Sequence, residues 1–86
     1  MKILYSKKFK KQFQKLKRGE NKKFEERINI FIKNPSAKIL ENHILHGQLS
    51  KYRSINISGN LRLLYEEIDD ETVLFSILDT HSNLYS

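Results

Sequence analysis

Cysteine is missing from all 86 residues. That removes disulfides, zinc–thiolate sites and a thiol nucleophile, and nothing then points to an oxidising compartment. A cytoplasmic setting is expected. Long apolar runs are missing too, since no stretch nears the roughly 20 apolar residues that a bilayer crossing needs. The N-terminus, Met1-Lys2-Ile3-Leu4-Tyr5, passes straight into lysines, without the apolar core of a signal peptide. A soluble chain with no membrane partner is expected. A phosphate-cradling glycine loop, HExxH, an EF-hand loop, GxSxG and any internal repeat are also lacking. Nucleotide-binding and coiled-coil readings are set aside with the membrane one.

Acids are scarce in the first third. Residues 1–35 carry twelve Lys/Arg against three acids, and residues 36–86 carry four against seven, so +9 and −3 make the net +6. A solvated cationic helix face explains lysines by itself. Charge this concentrated nonetheless favours a polyanionic or acidic partner, because a focused field raises the encounter rate with either. With 86 residues there is room for one domain, 1–86, around one modest core.

Lys2-Ile3-Leu4-Tyr5 is β-prone, and Ser6 is a natural helix N-cap. Phe9, Phe13 and Leu16 recur at i, i+4 and i+7, an amphipathic stripe that predicts a first helix, with Gly19 as its C-cap. Asn21 is expected to cap a second helix with Phe24, Ile28, Phe31 and Ile32 inside, stopped at Asn34 by the only proline, Pro35. Aromatics at helical spacing are read as core.

Residues 36–50 show no period. Ile39 and Leu40 suggest one helical turn, Gly47 a bend, and His43 and His46 fall on a loop or frayed turn between them. Two imidazoles without a third ligand are a weak metal signal. From Lys51 the period becomes two: Ile55 and Ile57, then Leu61, Leu63 and Tyr65 after the turn residues Ser58-Gly59-Asn60, then Val73, Phe75 and Ile77 after Asp69-Asp70. The expected architecture is α+β, in the order β-α-α-β-β-β. An N-terminal strand is followed by a two-helix antiparallel hairpin, packed on one face of a twisted, mainly antiparallel sheet whose other face stays free. Arg62 interrupts an apolar strand. A guanidinium there faces either plain solvent or a ligand on that free face.

His43-x-Leu45-x-Gly47, Tyr52-Arg53-Ser54, Arg62-Leu63-Leu64-Tyr65, Val73-Leu74-Phe75 and Thr80-His81-x-x-Leu84-Tyr85 together resemble the RelE/ParE toxin superfamily, and within it the YafQ-like branch. The resemblance spans essentially the whole chain. It implies the toxin of a type II toxin–antitoxin system: a ribosome-dependent mRNA endoribonuclease, or mRNA interferase, that inhibits translation. It also implies chemistry without metal or small-molecule cofactor, and as partners a cognate antitoxin, the 70S ribosome and mRNA. His43 and His81 match the two motif histidines, Arg62 the strand arginine set against the scissile phosphate, and Tyr85 the C-terminal aromatic. These four are the implied catalytic residues. Lys7, Lys8, Lys10 and Lys11, with Lys51 and Arg53, are the implied contacts to ribosomal RNA, and Asn56 and Asn60 join them from the hairpin.

The sequence departs from the branch in two ways. Asn56 and Asn60 stand where a histidine and an aspartate are usual, and asparagine does not titrate at neutral pH. Asp79 replaces the usual glycine before Thr-His. Three alternatives stay open: a ParE-like gyrase inhibitor, a homologue that binds RNA but has lost cleavage, and a plain basic nucleic-acid-binding domain.

Overall fold

Ser6 makes the first corner of the chain. In the structure, a computed structural model describing residues 1–85, Lys2–Tyr5 form strand β1, and Ser6 follows it in extended conformation. Its hydroxyl accepts the Phe9 amide at 3.0 Å and donates to the Ser76 carbonyl at 2.8 Å. One side chain thus caps helix α1 (Lys7–Gln14) and ties its start to a residue 70 positions away.

The helix boundary differs from expectation. Helix α1 ends at Gln14, and α2 runs from Arg18 to Lys33, so Gly19 is no C-cap and Asn21 no N-cap. The reason lies in Glu20, whose carboxylate reaches back to accept the Lys17 amide at 3.1 Å. An acid three residues past the cap satisfies an orphan donor and sits at the positive end of the helix dipole. That outweighs Gly19, which loses little in a first turn. Helix α2 stops at Asn34 before Pro35, as expected, but Ile32 is exposed, and it is Ile30 that packs on the core.

The sheet has five strands in the order β1-β5-β4-β3-β2, with β2 His43–Ile44, β3 Arg53–Asn56, β4 Leu61–Asp69 and β5 Thr72–Thr80. Strand β1 pairs parallel with β5, Ile3 opposite Val73, and every other pairing is antiparallel. The two-residue β2 is absent from the expected order, and so is the closing turn of helix, α3 (His81–Tyr85). Ile39 and Leu40 do lie in a single helical turn, Lys38–Leu40.

The helices cover one face through aromatic rings. Phe9 meets Phe75 at 5.6 Å, Phe13 meets Phe24 at 5.2 Å, and Phe31 packs edge-on to Tyr65 at 5.0 Å. Each ring fully withdrawn from water contributes roughly 1.5–3 kcal/mol of transfer free energy. The far face is less bare than expected, because Ser54, Leu64 and Leu45 are buried there, outside the helix-side core. Among the described residues, no helix is long and apolar enough to cross a membrane.

Candidate functional site

A cleft of ≈ 530 Å³ opens on the face away from α1 and α2, built by residues far apart in the chain. Strand β2 supplies His43, the following loop Leu45, His46 and Leu49, the β3–β4 pair Asn56 and Arg62, and α3 His81 and Tyr85. The antiparallel register explains why distant residues meet. His43 lies opposite Ser54, Asn56 opposite Arg62, and Arg62 opposite Asp79, next to the start of α3. Residues directly opposite share a face of the sheet.

Each side chain is held differently. His43 donates its Nδ1–H to the Glu41 carbonyl at 2.7 Å. The Arg62 guanidinium, half-buried, donates to the Ser58 carbonyl at 2.9 Å and more weakly to Leu61 and Gly59, which anchors it over the β3–β4 turn. The His81 amide donates to the Asn60 carbonyl at 2.7 Å, so α3 is fastened to that same turn. The His81 and Tyr85 rings lie 4.7 Å apart, tilted by 58°. Thr80 caps α3, its hydroxyl accepting the Asn83 amide at 3.1 Å.

His43, Arg62, His81, Tyr85 and Asn56 are therefore brought together, and the remaining candidates lie elsewhere. Lys7, Lys8, Lys10 and Lys11 are exposed on α1, and Lys51 lies over the Tyr52 ring at 5.2 Å. Asn60 contributes its carbonyl from the turn and does not line the cleft. Arg53 points away from the cleft. It shares the helix-side face with its cross-strand partner Tyr65 and donates to Asn42 Oδ1 at 2.9 Å. Asn42 in turn donates to Tyr65 Oη at 2.8 Å and to the Pro35 carbonyl at 3.0 Å. Burial pushes the Tyr65 phenol above its ordinary range, against the opposing pull of Asn42 and Arg53. Asn42 and Arg53 thus join β3 to the end of α2.

Glu41 is the site residue that sequence reasoning missed. It lines the cleft, accepts a hydrogen bond from the Asn56 side chain, and holds φ 47° and ψ 45°. A left-handed backbone costs a residue with a Cβ on the order of 1–2 kcal/mol. Nothing in the pattern Leu40-Glu41-Asn42 announces it. Gly47, also left-handed at φ 66°, was the more readable bend. His46 lines the cleft beside His43, but among the described residues no three His, Asp or Glu side chains gather to hold a metal ion.

Chemically, the cleft offers three imidazoles, those of His43, His46 and His81, and one guanidinium around an open volume with an apolar wall. Imidazoles can give and take protons near neutral pH, and a forked cation suits the oxygens of a phosphate.

The family profile described as "Bacterial toxin of type II toxin-antitoxin system, YafQ" matches residues 1–86. Among solved structures, YafQ from E. coli strain BL21(DE3) superposes with a TM-score of 0.80 at 22% identity, over 98% of this chain and 97% of that one. A YoeB/ParE toxin from Agrobacterium tumefaciens gives 0.77 at 18%, over 94% and 99%. The toxin chain of the E. coli DinJ-YafQ complex gives 0.65 at 21%, over 98% and 97%. At such identities the likeness is one of fold. No curated protein matches the sequence closely enough to count as a relative.

Proposed function

The chain belongs to the YafQ family of toxins from bacterial type II toxin–antitoxin systems, and we propose that it acts there as a ribosome-dependent mRNA endoribonuclease working without a metal ion. What carries the reading is the gathering of His43, Arg62, His81 and Tyr85 around one cleft. One imidazole removes the proton of an RNA 2′-hydroxyl, and O2′ forms a bond to the adjacent phosphorus. The P–O5′ bond breaks, and the other imidazole gives O5′ its proton. The products are a 2′,3′-cyclic phosphate and a 5′-hydroxyl. Arg62 offsets the charge that gathers on the phosphorane oxygens, and Tyr85 supports His81 and stacks on a base.

Asn56 and Asn60 do not titrate, so proton transfer is assigned to His43 and His81. Lys7, Lys8, Lys10 and Lys11, with Lys51, hold ribosomal RNA by its phosphates, whereas Arg53 is committed to Asn42 and the Tyr65 network. The E. coli YafQ structure with DinJ is a toxin–antitoxin complex. By the same logic a cognate antitoxin silences this chain, and the net charge of +6 favours an acidic one.

The test is induction in cells followed by primer extension on translated messages. Cuts within reading frames that disappear with His81→Ala or Arg62→Ala are the expected result. Growth arrest that persists in a His43→Ala/His81→Ala double variant, with intact mRNA and DNA-damage signalling, would refute it in favour of gyrase poisoning.

A further inference from the structure

The two halves of Glu41 do different work. Its main-chain carbonyl accepts from Nδ1 of His43 at 2.7 Å, while its carboxylate accepts from the side-chain amide of Asn56. The residue between those bonds is left-handed, a conformation that a long side chain does not choose unaided. An ionised acceptor makes a stronger hydrogen bond than a neutral one, so the carboxylate is well suited to hold such a turn closed.

A carbonyl oxygen only accepts. Nδ1 must therefore carry a hydrogen, and in the neutral imidazole the lone pair is left on Nε2. Among the described residues Nε2 of His43 has no hydrogen-bond partner in the protein, and the ring lines the cleft.

We infer that Glu41 is a positioning residue for His43: the carboxylate–Asn56 bond holds the left-handed turn, the turn aims the carbonyl, and the carbonyl keeps the proton of neutral His43 on Nδ1. His43 is then the group whose Nε2 accepts a proton. Resting on the reading of the cleft as an RNA-cutting site, this makes His43 the base for the 2′-hydroxyl and leaves O5′ to His81. Asn56 also gains a purpose. Its amide donor latches the loop that bears the base.

The experiment pairs imidazole nitrogen NMR of the full-length protein with kinetics of RNA cleavage on ribosomes. Wild-type His43 should show the Nδ1–H tautomer. Glu41→Ala and Asn56→Ala should each move it toward Nε2–H and lower kcat about tenfold, with KM changing less. The double variant should fall little further than either single one, because both remove the same bond. Glu41→Gln keeps the acceptor and should recover the tautomer and most of kcat.

An unchanged His43 tautomer in both alanine variants overturns the inference. So does a Glu41→Gln variant as impaired as Glu41→Ala, since that would mean the charge itself acts on the substrate. The NMR arm needs no turnover. If the wild-type protein cuts no RNA yet keeps the tautomer and loses it on Glu41→Ala, the endoribonuclease reading fails while the latch stands.

Discussion

Arg62 and Asp79 lie directly opposite each other on adjacent strands, yet their side chains do not pair. The Asp79 carboxylate accepts the Thr80 amide at 2.8 Å and the Asn83 side-chain amide at 3.0 Å, while Arg62 is held by main-chain carbonyls. A cation and an anion on facing positions have each been given other partners, and the guanidinium keeps its charge for a third. Arg62→Ala should lower kcat for RNA cleavage by about 100-fold or more, the usual consequence of losing a transition-state donor. Arg62→Lys should fall between, since it keeps the charge and loses the fork. Both variants should melt within a few degrees of the wild type, because the side chain is only half-buried.

Thr80 affects the site from one residue away. Its hydroxyl is the cap of α3, and α3 carries both His81 and Tyr85. Thr80→Ala should remove about 1 kcal/mol of local stability. Amide exchange at Asn83 should then rise about fivefold, and cleavage should fall several-fold without a comparable change in melting temperature. Thr80→Ser keeps the acceptor and should restore both.

Much of this was legible from periodicity, because the segments concerned obey one local rule. Phe9 and Phe13 mark the buried face of α1, and Leu61 and Leu63 alternate with Arg62, which put Arg62 on the opposite side of β4 from the core. What escaped was set by pairing between distant segments. His43-Ile44 is too short to show alternation, and its pairing with β3 becomes visible only when Ser54 is opposite His43. The parallel pairing of β1 with β5 joins residues about 70 apart and leaves no trace in either strand. Arg53 and Arg62 look alike as strand arginines. One belongs to the Asn42–Tyr65 network and the other to the cleft, because the turn between β3 and β4 fixes which residues share a face. Glu41 could not be read at all, since its left-handed turn is held by a bond that its own carboxylate accepts from Asn56, 15 residues away.

Asp69 should make stability depend on pH at the acid end. The Glu71 amide, bonded at 2.9 Å, is the main cause that holds its carboxyl below the ordinary carboxylate range, with the Thr72 side chain next. The folded state therefore binds the proton less readily than the unfolded chain. The contribution is complete above the unfolded-state value and is lost as pH falls through the lower folded-state one. Melting temperatures of the wild type and Asp69→Ala should differ at neutral pH and converge in acid. A gap that is independent of pH would mean that the turn does not depend on the charge.

Two lysines of α1 are badly placed for the helix itself. Lys7 and Lys8 stand in its first turn, where the dipole is positive and no acidic residue offsets them. They fall outside the packing face, which is left to Phe9. A helix end that repels its own side chains is explained by a partner that attracts them, and in the proposed function that partner is ribosomal RNA. Replacing Lys7, Lys8, Lys10 and Lys11 with glutamine changes helix propensity very little. Two effects of opposite sign should follow. The variant should gain stability, by roughly 0.3–1 kcal/mol for each of the two first-turn charges removed, less a similar amount for the one favourable last-turn charge lost with Lys11, readable as a higher melting temperature. It should also bind ribosomes more weakly, with a shallower dependence of log affinity on log salt, by about 0.7–0.9 for each phosphate that the variant no longer neutralises. If the salt slope is unchanged while the protein becomes more stable, these lysines only keep the chain in solution, and the RNA is held elsewhere.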